Sequence, residues 1–382
     1  MNFDKILQML TKLAESYSMF VNFMKFDLPE KMRTSFPWPY WLKREAGERA
    51  LFDSLSHSDR MRVRQLQTHL QETNLVNSSN LSSLQGLKIG LDAAFWLRSI
   101  QKLKDPFADA LGGVPPALFG MLDRELEQFK KRKITPVFVF EGIVPPLQSQ
   151  AVQTNAIRVQ LDAAWTHIAK DRRHEAQKVF AVSTSRINAD IEHIVFHHLK
   201  ALGIEVMRAP YFVGAQLMHL AETGFVHAVV GAPGMLLYGV PKVILLLDFA
   251  RNSFDWTDLQ RMLNSWSLTK DQFVDACLLA GTEYCLTYPY LNFDEQHQQH
   301  GRFQFEFAIN FIKCMPLANW MQVFPQEDMR MDHIHGYCVS KVLLQNTPVL
   351  HTKKMCVRPA GDACPRDFST LIGNRLPAKL YT

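Results

Sequence analysis

Cysteine is scarce in this chain of 382 residues, and the six present (Cys277, Cys285, Cys314, Cys338, Cys356 and Cys364) include no C-x-x-C spacing. A zinc ribbon needs that spacing, and so few cysteines in so long a chain do not make a disulfide framework. They read as buried or incidental thiols of a reducing compartment. Long apolar runs are missing too: none approaches the ~18 residues of a membrane span. The first segment, MNFDKILQMLTKLAES, carries Asp4 and Glu15 and no arginine, which argues against a secretory signal and a transit peptide. Gly (18) and Pro (19) are too few for a collagen-like or low-complexity chain. Neither sign of charge dominates: 42 Lys and Arg against 37 Asp and Glu leave +5. That balance permits contact with RNA without arguing for it, because a dedicated nucleic-acid domain concentrates its charge. The expectation is a soluble intracellular protein of two or three domains, at ~100–200 residues each.

What is present is an ordinary globular composition, 47% apolar and 21% charged. Residues 1–60 read as an N-terminal extension. Phe3, Ile6, Leu7, Leu10 and Leu13 share one helical face. Phe36-Pro37-Trp38-Pro39-Tyr40-Trp41 follows, where two prolines forbid a regular helix. This cluster reads as an irregular surface segment, with a partner-binding patch as the alternative. The organised part begins at Met61, with a helix predicted over the residues that follow and a polar turn near Ser78 and Ser79.

From residue 87 strands and helices alternate. Leu87 to Asp92 is a short apolar strand ending in an acid. Pro115 and Pro116 suit the first turn of a helix bearing Leu118, Met121, Leu122, Leu126 and Phe129. That helix ends in Lys130-Lys131-Arg132-Lys133, a solvated basic terminus that complements the helix dipole. Val137 to Phe140 is a continuous β-favouring run, as in a strand buried on both faces, and it ends at Glu141-Gly142. Residues 147–200 are mostly helical, with Lys170, Arg172, Arg173 and Lys178 on the polar face. Ile204–Met207, Phe225–Val230 and Lys242–Leu247 are further strands, and Thr269 with Gln272 makes a capping box for a helix reaching Gly281. Such alternation implies an α/β fold with a parallel β-sheet flanked by helices, whose ligands bind at the carboxyl ends of the strands. Asp92, Glu141 and Glu283 are candidates for an acidic cluster there.

I-G-L-D-A (89–93), V-F-V-F-E-G-x-x-P-P (137–146), A-P-Y (209–211) and D-x-x-x-L-A-G-T-E-Y-C (275–285) stand in an order and spacing that resembles the XPG/flap-endonuclease superfamily, a branch of the PIN-like nucleases. The likeness covers about residues 81–290. Within it, L-K-D-P-F-A-D-A-L-G-G-V-P-P (103–116) and K-I-T-P-V-F-V-F (133–140), with the last two motifs in longer form, are most similar to the fungal maintenance-of-killer-toxin proteins, a family of post-transcriptional regulators. The resemblance implies a PIN-like fold with 61–200 as the XPG N-type half and 201–299 as the I-type half. It also implies that 300–382, with a helix from Phe305 to Met315 and an extended region, starts a truncated C-terminal regulator domain.

Active members place acids at seven positions around two divalent ions, which stabilise the attacking and leaving oxygens. Asp92 matches the first, Glu141 stands in place of an Asp at the second, and Glu283 in place of an Asp at the last. The middle four are Phe212, Gly214, Ala232 and Gly234. Asp92, Glu141 and Glu283 could still hold one weak Mg²⁺, and otherwise no cofactor is expected. The favoured reading of Asp92 is a helix N-cap after a strand and of Glu283 a partly exposed turn residue, because functional acids come in converging sets. Nucleic-acid handling is altered as well: Thr287–Phe293 lacks the family's Gly-rich hairpin. Leu147, Gln148 and Ser149 replace a basic residue after the Pro pair, leaving Arg158 as the next cation.

The favoured expectation is therefore a pseudo-nuclease scaffold without enzymatic activity. The resemblance implies that it acts on mRNA translation or stability, with an ataxin-2-like, poly(A)-binding-protein-associated factor, in cytoplasmic granules such as P-bodies or stress granules. The alternatives are an active metal-dependent, structure-specific endonuclease and a direct RNA-binding module using Lys130–Lys133 and the basic helix at 170–178.

Overall fold

The computed structural model describes residues 63–100, 114, 117–143, 148–183, 189–282, 285–288, 291, 293–294, 299–300, 304–321, 327–352 and 355–359. The extension 1–60, the 103–113 motif, Pro115, Pro116, Glu283, Cys364 and the last residues of the tail lie outside these. The chain opens with α1 (Leu66–Glu72), the strand β1 (Asn77–Asn80), then β2 (Lys88–Asp92) and α2 (Ala93–Ile100). There follow α3 (Leu118–Lys131), β3 (Thr135–Phe140), α4 (Gln148–Ala169), α5 (Arg173–Ser183), α6 (Ala189–Ala201) and β4 (Glu205–Arg208). Next come α7 (Val213–Glu222), β5 (Ala228–Val230), α8 (Met235–Tyr238), β6 (Lys242–Asp248), β7 (Ser253–Asp258), α9 (Leu259–Trp266) and α10 (Lys270–Ala280).

A seven-stranded sheet in the order β1-β7-β6-β5-β2-β3-β4 forms the centre of this mixed α/β fold. β4, β3, β2, β5 and β6 run parallel, so their carboxyl ends share one edge. β2 and β3 sit mid-sheet, which is why Ile89, Leu91, Val137, Phe138 and Val139 are fully buried. One apolar cluster packs α2, α3 and α6 on one face, and another packs α7, α9 and α10 on the opposite face.

The order differs from a purely parallel sheet at one side. β7 pairs antiparallel with β6, and β1 antiparallel with β7. The sequence Ser-Phe-Asp-Trp-Thr-Asp of β7 buries only Phe254 and Thr257 among half-buried residues, so a search for continuous apolar runs passes over it. The helix predicted after Met61 is short, because Asn77–Asn80 pairs with Ser253–Trp256 as sheet edge instead of turning. Thr269 and Gln272 do form the capping box, with Gln272 N–H donating to Thr269 Oγ1 at 3.2 Å and Thr269 N–H to Gln272 Oε1 at 2.9 Å.

After residue 290 come a small ribbon of β8 (Phe293–Asp294) and β9 (Gln299–His300), then α11 (Phe305–Cys314), α12 (Leu317–Trp320) and α13 (Glu327–Asn346). The hairpin of β10 (Pro348–His351) and β11 (Cys356–Pro359) follows. Phe305, Ile309, Leu343 and Val349 belong to the same cluster as Leu217 and Leu279, so these elements extend the α7 side of the core. The Lys341 ammonium pairs with Asp275 at 2.9 Å and ties α13 to α10. Cys277, Cys285 and Cys356 are buried free thiols, whereas Cys314 is exposed. Burial pushes the Cys277 thiol well up and that of Cys285 up to about 11, so neither forms a reactive thiolate near neutral pH. Among the described residues, no helix is long and apolar enough to cross a membrane.

Candidate functional site

The carboxyl ends of β5, β2, β3 and β4 are neighbours, and the sequence-marked positions collect along this edge. Asp92 is the last residue of β2 and is buried. Its Oδ1 accepts from the Phe95 N–H at 3.1 Å. That is the bond of an N-cap on the first turn of α2, the structural role that its position after a strand suggests.

Glu141 directly follows β3, and it is buried as well. Its Oε1 accepts from the Val213 N–H at 3.2 Å, at the first residue of α7. The α7 cap position is Phe212, whose side chain offers no acceptor, so the carboxylate from the neighbouring strand satisfies that terminus. The geometry depends on close backbone approach. Gly142 N–H donates to Tyr211 O at 2.8 Å, and a Cβ on Gly142 would meet Ala209 O at 2.1 Å. Only glycine fits there, which explains Glu-Gly after the strand. The Arg208 guanidinium donates to Glu141 O at 2.9 Å and lies 5.6 Å from the Phe196 ring.

On the other side of Asp92 and Glu141 the edge is apolar. Phe212 and Ala232 are 3% and 4% exposed, and Gly214 and Gly234 are buried too. The Met235 side chain, wholly buried, folds back over Gly231, where a Cβ would meet its Cγ at 2.9 Å. Among the described residues, no three His, Cys, Asp or Glu side chains are grouped so as to hold one metal ion. Glu283 lies outside the described residues.

The basic candidates sit elsewhere. Arg132 is committed to structure: it donates to Phe249 O at 2.7 Å and to Gln128 Oε1 at 2.8 Å, fastening the end of α3 to the β6–β7 turn. Lys130, Lys131 and Lys133 are exposed, as are Lys170 and Arg172 in the α4–α5 turn and Arg173 and Lys178 on α5, so the basic helix expected at 170–178 begins only at Arg173. Sequence reasoning missed Gln216, which is fully buried on α7. Its amide donates to Leu350 O at 3.0 Å and accepts from Leu350 N–H at 2.7 Å, imitating a strand partner for β10. One turn on, the His219 ring lies against that of His351, with centroids 4.3 Å apart and planes tilted by 60°. A glutamine in an apolar helix was the available signal, since a buried amide requires partners.

Residues 61–161 match the XPG N-terminal domain family. A post-transcriptional regulator MKT1 of Cryptococcus neoformans is 27% identical over 351 residues, covering 84% of this chain and 44% of its own. Its counterpart in Schizosaccharomyces pombe is 25% identical, covering 84% of this chain and 46% of its own. The chain thus spans less than half the length of these two relatives. Flap endonuclease 1 of Methanothermobacter thermautotrophicus is 30% identical over 213 residues, covering 53% of this chain and 65% of its own. With the motifs in order, the domain match and relatives of both kinds, the chain is similar to the XPG/PIN-like superfamily, and within it to the MKT1 post-transcriptional regulators.

Proposed function

We propose that this chain is a catalytically degenerate XPG/PIN-like protein, a scaffold in the post-transcriptional regulation of mRNA that works through a ribonucleoprotein partner and does not cut nucleic acid. One observation carries the reading: the Glu141 carboxylate is spent on the N-terminus of α7, while Phe212, Gly214, Ala232 and Gly234 pack the rest of the edge without a charge. A two-ion site sets its ions ~3.5–4 Å apart, and their repulsion has to be offset by clustered carboxylates. With no carboxylate at the four middle positions, Asp92 and Glu141 alone do not supply that charge. The relatives named as post-transcriptional regulators support the mRNA side of the proposal. The partner that follows from the resemblance is an ataxin-2-like, poly(A)-binding-protein-associated factor, met in cytoplasmic granules. No cofactor is required.

The test incubates the purified chain with flap, single-stranded and structured DNA and RNA in Mg²⁺ or Mn²⁺. No cleavage is expected in any condition. Cleavage that disappears in an Asp92→Ala/Glu283→Ala double variant overturns the proposal and restores the nuclease reading. Copurification at physiological salt, with and without ribonuclease, tests the partner separately. Retention of the ataxin-2-like factor after ribonuclease is expected, and its loss would leave RNA as the link.

A further inference from the structure

α6 buries Ile191, Val195 and Leu199 against the sheet, and its opposite side faces solvent. On that side stand His193 and His197, four residues apart and both exposed. Side chains at this spacing lie one above the other on a helix. Here the two imidazole rings have centroids 4.4 Å apart with their planes at 66°. His198, the next residue, is used differently: its Nε2 lies 2.9 Å from Asp123 Oδ1 and its ring 4.8 Å from that of Phe119. His193 and His197 face open solvent, while His198 is bound into the α3–α6 contact.

We infer that His193 and His197 form a binding site for a first-row divalent transition-metal ion on the exposed face of α6. Two imidazole nitrogens on adjacent turns can reach one ion, and imidazole suits Zn²⁺, Ni²⁺ and Cu²⁺. Mg²⁺ and Ca²⁺ prefer oxygen ligands and are rejected by the same donors. Two protein donors leave coordination positions to water, so the site is open and reversible. It is independent of the carboxyl edge of the sheet and of the proposed scaffold function.

The experiment titrates Zn²⁺, and Mg²⁺ as a control, into the full chain freed of metal with a chelator, read by calorimetry. One equivalent of Zn²⁺ is expected to bind in the micromolar range, with no Mg²⁺ heat. The His193→Gln/His197→Gln double variant, shown folded by circular dichroism, should bind about tenfold more weakly or worse, as loss of a ligand costs at least what loss of its supporting shell does. Unchanged Zn²⁺ affinity in the double variant, or no binding to the parent below millimolar, overturns the inference. Histidine acylation mapped by mass spectrometry gives a second reading. Zn²⁺ should shield His193 and His197, and equal labelling with and without the ion would also overturn it.

Discussion

The two sides of the sheet's carboxyl edge differ in how they treat charge. At the ends of β2 and β3, Asp92 and Glu141 keep their carboxylates although both are buried. At the start of α7 and the end of β5, Phe212, Gly214, Ala232 and Gly234 carry none. What separates the two sides is the acceptor that the side chain brings, since Phe212 and Gly234 also stand at helix N-cap positions, those of α7 and α8, and offer none. The Asp92 and Glu141 oxygens each reach a helix N-terminus, where free amides and the helix dipole favour an anion. A carboxylate at Ala232 would instead lie beside the apolar side chains of this segment, such as the buried Met235. An ionised group survives burial only with such partners. On the reading proposed above, acids with a second, structural use remain, and those whose use was to hold ions have given way to packing.

The strongest way to break this comparison is to put charge back on the apolar side. Ala232→Asp should cost about 3–5 kcal/mol of unfolding free energy, the range for an uncompensated buried charge. Chemical denaturation with and without Mg²⁺ measures it. Mg²⁺ should restore nothing. Recovery of stability by Mg²⁺, in this variant or in Phe212→Glu/Gly214→Glu/Ala232→Asp/Gly234→Asp, would mean that the edge can still organise ions.

On the acidic side the effects are smaller. Glu141→Ala removes the acceptor for the Val213 N–H and should cost about 1–2 kcal/mol, the upper range for a lost cap. Glu141→Gln keeps a side-chain oxygen and should cost less than half as much. Equal losses in the two variants would show that charge, and not the hydrogen bond, is what α7 needs.

The sequence displays the acidic side more fully than the apolar side. The strands β2 to β6 are legible because buried parallel strands are written as continuous apolar runs, and Asp92 and Glu141 are conspicuous as acids that end such runs. β1 and β7 are hidden, since a polar edge strand and its largely half-buried neighbour look like loop until they pair. The role of Glu141 is hidden as well. Nothing in Glu-Gly announces that its partner is 72 residues away at Val213. The β10–β11 hairpin is read only in outline as an extended region and the helix α13 is not read at all, and nothing nearby in sequence announces that Leu350 of β10 pairs with Gln216 of α7.

Acid should loosen α7 from its outer side. Burial lowers the pKa of His219, and His351 lowers it further, against a raising contribution from Glu222. Burial also lowers that of His69, with Glu306 and Glu72 opposing. Their folded values lie below the 6.5 of the unfolded chain, so the unfolded chain takes up protons first. The stability is present above about pH 6.5 and is lost as pH falls through the folded values. Burial raises the pKa of Asp275 and Glu125, and these carboxyls work in the opposite sense at lower pH. Melting temperature should be flat above neutrality and fall below about pH 6.5, with a shallower fall in His219→Gln. An unchanged slope in that variant would remove His219 from the account.

The smallest effect is expected at Asp92, and there a null result is informative. Asn caps a helix about as well as Asp, so Asp92→Asn should retain the bond to the Phe95 N–H and change stability by no more than about 0.5 kcal/mol. Asp92→Ala, which removes the acceptor, should cost about 1 kcal/mol. A metal ligand would behave otherwise. Asparagine lacks the charge that a hard divalent ion seeks, so an Asp92 that held Mg²⁺ would lose Mg²⁺-dependent stabilisation in the Asn and Ala variants alike. Thermal melts of the parent chain and both variants, in chelator and in excess Mg²⁺, separate the two roles. Superimposable curves with and without Mg²⁺ for the parent and the Asn variant place Asp92 with the helix caps. A Mg²⁺-dependent rise in the parent that vanishes in Asp92→Asn would return it to the ion-holding set and erase the difference between the two sides of the edge.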